Sequence, residues 1–172
     1  YKRQILDCGC GLCSEYFGYE QDGYRISYTG LDSCAGLVEK DVEKGINVKH
    51  GSIEEIPLGD NSIEVTFARH VLEHIFGYEK ALTEMIRVAN KEAIVVFFIQ
   101  PINSVPVASD FFKYDAVEEI WHNQYQKSLI EYFIFSNPKV ASVSWEDMPH
   151  TKESVSYTHL RAHETKANLV CR

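Results

Sequence analysis

An apolar strand that runs directly into a turn with two glycines is the feature of this chain that most constrains its fold. Residues 5–11 read ILDCGCG, and an acidic residue, Asp32, follows 21 residues after Gly11. Glycines at positions 9 and 11 let the backbone turn tightly and approach a ligand closely. An acid at the end of the next strand can accept hydrogen bonds from both hydroxyls of a ribose. The pattern therefore predicts a crevice for a nucleotide-containing cofactor.

Strand and helix patterns alternate along most of the chain. Continuous or alternating apolar residues predict strands at 4–7, 26–32, 46–50, 63–68, 93–99 and 140–145, the last at an edge of the sheet. Helical spacing predicts helices at 13–19, 34–44, 78–89 and 127–135, with a loop at 101–110. Such alternation is typical of a parallel sheet covered by helices. We therefore expect an α/β fold, a Rossmann-like, doubly wound and mostly parallel sheet flanked by helices.

On these motifs the chain resembles the class I S-adenosylmethionine-dependent methyltransferases, and methyltransferase type 11 in particular. The resemblance extends from about residue 3 to about residue 145. The turn with Asp7, Gly9 and Gly11 matches the first motif of the family, and Asp32 matches its ribose-binding acid. The segment at 51–65 resembles the stretch that wraps the adenine and enters the fourth strand.

The resemblance implies a transferase that uses S-adenosylmethionine as its cofactor. It implies that Asp7, Gly9 and Gly11 shape the part of the site that holds the methionine moiety of the cofactor, and that Asp32 binds its ribose. It also implies an adenine bordered by Ser52 and Ile53.

Two positions depart from the family pattern. The third glycine of the turn is replaced by Cys13, and the acid that often contacts the adenine amino group is replaced by Ser52. An NAD-dependent oxidoreductase is one alternative, although its fingerprint requires Gly or Ala where this chain has Ser14. A non-catalytic methyltransferase-like module is the other alternative.

Histidines that follow strands are the candidates for proton transfer. The segment RHVLEH, residues 69–74, follows the fourth predicted strand, and His122 precedes the last predicted helix. Imidazole titrates near neutral pH and suits proton removal from an acceptor. We take His74 and His122 as the candidate catalytic bases, with packing of the turn as the alternative role for both His70 and His74. The aromatic and polar residues 121–125 are expected to line an acceptor pocket or to form an ordinary surface loop.

Composition narrows the class of partner. The 172 residues, 45% hydrophobic, are enough for one domain, and a net charge of −8 argues against strong nucleic-acid binding. We therefore expect a small-molecule acceptor. The longest apolar run, residues 93–99, is far below the roughly 18 residues of a membrane span. The cysteines at 8, 10, 13 and 34 lack paired C-x-x-C knuckles, so we expect reduced thiols, no metal and a cytoplasmic location.

The final segment differs in kind from the rest. Residues 156–172 show neither strand nor helix periodicity and resemble translated adaptor or vector read-through. We therefore expect a methyltransferase domain at 1–155 and a non-native or disordered tail at 156–172, in which His159 and His163 play no catalytic part. The domain is expected to be truncated at the final strand of the family sheet.

Overall fold

The elements of this computed structural model follow the alternation that the sequence predicts. It describes residues 2–97, 100–101, 103, 108–114, 118–147, 156–161 and 168–171, with the backbone alone for 108–114, 118–122, 147, 156–161 and 168–171. The strands are β1 Arg3–Cys8, β2 Ile26–Asp32, β3 Val48–His50, β4 Ile63–Arg69, β5 Ala89–Phe97, β6 Ala108–Tyr114, β7 Glu118–Gln124, β8 Val143–Asp147, β9 Ser156–Arg161 and β10 Asn168–Cys171. The helices are α1 Ser14–Gln21, α2 Ala35–Glu43, α3 Glu79–Val88 and α4 Lys127–Ser136, with a 3-10 turn at Leu72–His74.

The first five strands form a parallel sheet in the order β3-β2-β1-β4-β5. The chain winds outward from β1 to β3 and then returns to place β4 on the other side of β1. This reversal creates a crevice between β1 and β4 at their carboxyl ends, which is where open α/β sheets bind ligands. The predicted Rossmann-like, doubly wound architecture is confirmed.

Burial of one face of α3 organises the larger part of the core. This helix places Ala81, Leu82, Met85 and Ile86 at 0% exposure, as its helical spacing predicts. The hydroxyl of Thr66 in β4 donates to the backbone oxygen of Met85 at 3.2 Å, so Thr66 faces α3. Because side chains alternate along a strand, Val65 and Phe67 lie on the other face of the sheet.

A β-hairpin replaces the end of the predicted loop at 101–110. Strand β6 begins at Ala108 and pairs antiparallel with β7, from Ala108 opposite Gln124 to Tyr114 opposite Glu118. The loop prediction was therefore wrong for residues 108–110. Aromatic and β-branched residues, which favour strands, are concentrated just beyond them at 111–114 and 120–121.

The chain was expected to lack the final strand of the family sheet, which would lie between β5 and β8, yet the space between those two strands is filled. Strand β9 pairs antiparallel with both neighbours at one end, through Ser156 and Tyr157. Strand β10 pairs parallel with both at the other end. Exposed strand edges offer rows of N–H and C=O groups that an extended segment can satisfy, even one without clear periodicity. The non-native origin of residues 156–172 stays a prediction.

Candidate functional site

The turn after β1 is pinned to the end of β2 and to the segment after β4. The backbone N–H of Gly9 donates to the oxygen of Leu31 at 2.7 Å, and Gly9 has a φ of 74°. A Cβ atom at Gly9 would lie 2.5 Å from Cγ2 of Val71. Glycine is therefore required at this position both by the positive φ and by the close approach of Val71.

Gly11 and Asp32 meet across the 21 residues that separate them. The N–H of Gly11 donates to Oδ2 of Asp32 at 2.8 Å, and the N–H of Cys34 donates to Oδ1 at 2.8 Å. The carboxylate therefore bridges the first turn and the start of α2, and its remaining lone pairs can accept further hydrogen bonds. A Cβ atom at Gly11 would have no heavy atom of the chain within 4 Å. The space above this turn is thus open to a ligand.

Asp7 is buried rather than open to the crevice. Its side chain is 3% exposed, and the hydroxyl of Tyr28 donates to its Oδ2 at 2.7 Å. Burial raises the pKa of Asp7 to about 7, and the hydrogen bond from Tyr28 opposes this shift only in part. Asp7 therefore links β1 to β2 directly before the turn.

The segment after β3 is attached to the same edge of the sheet. The N–H of Gly51 donates to the backbone oxygen of Asp32 at 3.0 Å. Ser52 is the next residue after this contact. The Ser52 hydroxyl accepts from the N–H of Glu54 at 3.1 Å. Ile53 is 7% exposed and belongs to the core beneath α3. Ser52 is thus the more accessible of the two residues expected near the adenine.

The three histidines of the sequence analysis have different environments. His74 ends the 3-10 turn after β4 and is exposed, and its N–H donates to the oxygen of Val71 at 3.0 Å. His70 has a φ of 55° and is half-buried, and burial lowers its pKa to about 4. His122 lies in β7 opposite Asp110, and its side chain lies outside the described part. The structure therefore connects His74, through Val71, to the first turn.

Residues 123–125 support the turn that carries His74. The side-chain nitrogen of Asn123 donates to the oxygens of Glu73 and Ile75, at 3.2 and 2.5 Å. The hydroxyl of Tyr125 donates to the oxygen of Leu72 at 2.7 Å. Both side chains are buried. They hold the 3-10 turn, and the expected surface loop is wrong for these two residues because their polar groups satisfy backbone oxygens in the interior.

An ion pair that the sequence analysis missed ties β4 to α1. The Arg69 guanidinium lies 2.7 Å from Oε1 of Glu15 and donates to the Ser14 hydroxyl at 3.0 Å. The contact joins residues more than fifty positions apart, so no local sequence signal could have revealed it. It fixes the beginning of α1 beside the carboxyl end of β4.

Thiol chemistry contributes little to the site. Cys8, Cys10 and Cys13 are free and buried, and burial raises the pKa of each of these thiols. Cys34 is free and exposed. Among the residues described, no group of three or more His, Cys, Asp or Glu side chains could hold a metal ion. In the same part of the chain, no helix has the length and apolar character needed to cross a bilayer.

Comparison with known proteins gives consistent family and fold relationships. A family model described as "Methyltransferase domain" matches residues 6–97. A malonyl-[acyl-carrier protein] O-methyltransferase of Serratia marcescens is 31% identical over 100 residues, which are 55% of this chain and 37% of that protein. A demethylmenaquinone methyltransferase of Alkalihalophilus pseudofirmus is 26% identical over 137 residues, which are 74% of this chain and 58% of that protein. The chain thus spans between about a third and three fifths of these relatives.

Among solved structures, the fold is shared with a SAM-dependent methyltransferase of Methanosarcina mazei. The TM-score is 0.67 at 12% identity, over 91% of this chain and 90% of that one. At this identity the similarity concerns the fold alone. It extends the likeness beyond residues 6–97 to most of the chain.

Proposed function

The chain belongs to the methyltransferase domain family, and from this premise we propose that it transfers a methyl group from S-adenosylmethionine to a small-molecule acceptor. The observation that carries the proposal is the Asp32 carboxylate, oriented by two backbone N–H groups beside an open glycine turn. A ribose with two free hydroxyls fits the unused lone pairs of such a carboxylate.

The residues present fit the cofactor that the family implies. Asp32 would hold the ribose, the turn with Gly9 and Gly11 would allow close backbone approach, and Ser52 would border the adenine. Asp7 would act indirectly, because its buried carboxyl group accepts a hydrogen bond from Tyr28 and links β1 to β2. When bound, S-adenosylmethionine supplies a methyl group that its positively charged sulfonium already activates.

Because the methyl group of the cofactor is already activated, the task of this chain would be to align the acceptor and to exclude water. His74 is the first candidate to remove a proton from the acceptor, since its exposed imidazole follows β4 and its turn packs beside Gly9 through Val71. His122 is the second candidate, from β7. His70 suits the role less well because burial holds its pKa near 4, which makes it a weak base at neutral pH.

The acceptor is proposed only at the level of its class. The names of the two relatives above refer to different acceptors, malonyl-[acyl-carrier protein] and demethylmenaquinone. Loops build such acceptor sites and vary while the fold does not. A small molecule also suits a chain with a net charge of −8, for which a nucleic acid is an unfavourable partner. The free buried thiols favour a reducing compartment, and we propose the cytoplasm.

Calorimetric titration of the full chain with S-adenosylmethionine and, separately, with NAD tests the cofactor assignment. We expect saturable binding of S-adenosylmethionine and none of NAD. The opposite preference would replace the proposal with an oxidoreductase, and absence of binding by both would leave a non-catalytic module.

The proposed bases are tested once an acceptor supports turnover. We expect either His74→Ala or His122→Ala to lower turnover by on the order of 100- to 10,000-fold while cofactor affinity stays unchanged. His159→Ala, in the C-terminal segment to which the sequence analysis assigns no catalytic part, is the histidine control. Normal turnover in both variants would mean that the chain acts through alignment alone.

A further inference from the structure

A groove on the face of the sheet opposite α3 takes no part in the proposed methyl transfer. Its volume is about 510 Å³, within the usual range of small-molecule sites. Ile5, Val65 and Phe67 form an apolar floor, and Tyr19 and Tyr24 stand at one side. The groove begins near the amino ends of β1 and β2, whereas Gly11 and Asp32 lie at their carboxyl ends. Its occupant is therefore distinct from the cofactor.

Two arginines stand at the amino-terminal end of this groove. Arg3 opens β1 and lies opposite Ile26 in the parallel register, and Arg25 immediately precedes Ile26. Both side chains are exposed, and within the described part of the chain the ion pairs involve other residues. Two arginines outside these ion pairs thus stand at one end of the groove, in a chain with a net charge of −8. They create a local positive field at the mouth of an apolar groove.

This combination defines the chemistry of a ligand. The planar guanidinium fork matches a carboxylate, and it can do so bidentately. Contact with the apolar floor removes the hydrocarbon surface of a ligand from water, which favours binding. We propose that the groove binds a small amphiphile with an apolar chain and one carboxylate head group, the head group at Arg3 and Arg25 and the chain along Ile5, Val65 and Phe67.

Methyl NMR of the full chain, labelled at isoleucine δ1 carbons, tests the location of binding. The probe is octanoate, and 1-octanol is its neutral counterpart with the same chain length. We expect octanoate to shift the methyl signals of Ile5, Ile26 and Ile94, which line the groove. The signals of Ile130 and Ile134, which are buried residues of α4 in the other core, should stay in place. Shifts confined to those two signals, or no shifts at all, would overturn the proposal.

Removing the two charges tests the head-group contact. In Arg3→Gln/Arg25→Gln we expect octanoate affinity to fall about tenfold or more, with octanol affinity unchanged. Lys40→Gln, which removes an exposed cation on α2, should leave both affinities as they are. Equal binding of octanoate and octanol to the unmodified chain would refute the carboxylate assignment without any variant. Groove shifts that grow with protein concentration alone would show a second copy of the chain as the occupant and would also refute it.

Discussion

At the scale of single residues, we expect Asp32 to contribute most to cofactor binding at the proposed site. Asp32→Ala removes the acceptor for the ribose hydroxyls, and we expect cofactor binding to weaken by roughly 1.5–3 kcal/mol, the range for hydrogen bonds to charged groups. Calorimetric titration measures the loss. Asp22→Ala removes an exposed carboxylate at the end of α1 and serves as the charge control. Unchanged affinity in Asp32→Ala would remove this residue from the site.

The two glycines of the first turn have separable roles. We expect Gly11→Val to abolish cofactor binding with a smaller effect on thermal stability, because the space above Gly11 is open and a side chain would enter it. Gly45→Val is the matched control, since Gly45 also has a positive φ and open surroundings but lies at the end of α2. Calorimetry and thermal unfolding are compared for both variants. Equal loss of affinity and stability in Gly11→Val would make the turn purely structural.

At the scale of elements, Arg87 of α3 holds the loop that follows Ser52 and Ile53. Its guanidinium makes a two-point contact with Glu84, both distances 2.7 Å, and donates to the oxygens of Ile56 and Leu58 at 3.0 and 2.9 Å. Arg87→Ala leaves these acceptors without their donor. We expect a loss of roughly 1.5–3 kcal/mol in the free energy of unfolding, measured by urea denaturation.

Two further substitutions on α3 sharpen the test of Arg87. Lys80→Ala, at an exposed position of the same helix, should change stability little. Arg87→Lys should restore only part of the loss, because an ammonium cannot reproduce the planar fork. If Arg87→Ala behaves like Lys80→Ala, the network does not stabilise the loop.

The elements with strong local signals were predictable from the sequence. Strand β2 has the predicted bounds 26–32 because its alternation ends at Asp32, and α3 was recognised from its apolar face. The hairpin of β6 and β7 was missed because the preceding prolines, asparagine and serines favour a loop. The spacing of the glycines and Asp32 predicted a crevice at this edge of the sheet, and the structure places Gly11 beside Asp32 there. The contact of Tyr28 with Asp7 depends on the register between strands, which a single sequence does not encode locally.

At the scale of the whole molecule, buried Asp7 makes stability depend on pH. Burial raises its pKa from an ordinary 3.8 to about 7, so between those values the native state holds a proton that the unfolded state has lost. Stability therefore falls as pH rises from about 4 to about 7. His70 acts in the opposite direction between about 4 and 6.5, because its lowered pKa leaves the native imidazole neutral.

The contribution of Asp7 can be isolated with an uncharged isostere. We expect Asp7→Asn to gain stability relative to the unmodified chain as pH rises from 5 to 8, since it has no carboxyl group to ionise in the interior. Urea denaturation at each pH measures the difference between the two chains, in which the shared effect of His70 cancels. A constant difference across this range would contradict the raised pKa.

The tail prediction also concerns the whole molecule. Strand β9 pairs with β5 through two residues and with β8 through two, so few hydrogen bonds retain it. We expect amides in β9 to exchange with solvent much faster than those of β4 and the centre of β5. Hydrogen exchange followed by NMR provides the comparison. Equal protection would show a packed native segment and would end the read-through interpretation.

The two hydrogen bonds that orient Asp32 have a kinetic consequence. Because the N–H groups of Gly11 and Cys34 fix the carboxylate before any ligand arrives, the entropy of ordering it is lost during folding rather than during binding. The proposed cofactor would therefore meet a carboxylate that needs no rearrangement. For the proposed cofactor we therefore expect one-step association at the ribose, with the differences in affinity among Asp32 variants arising from the rate of dissociation.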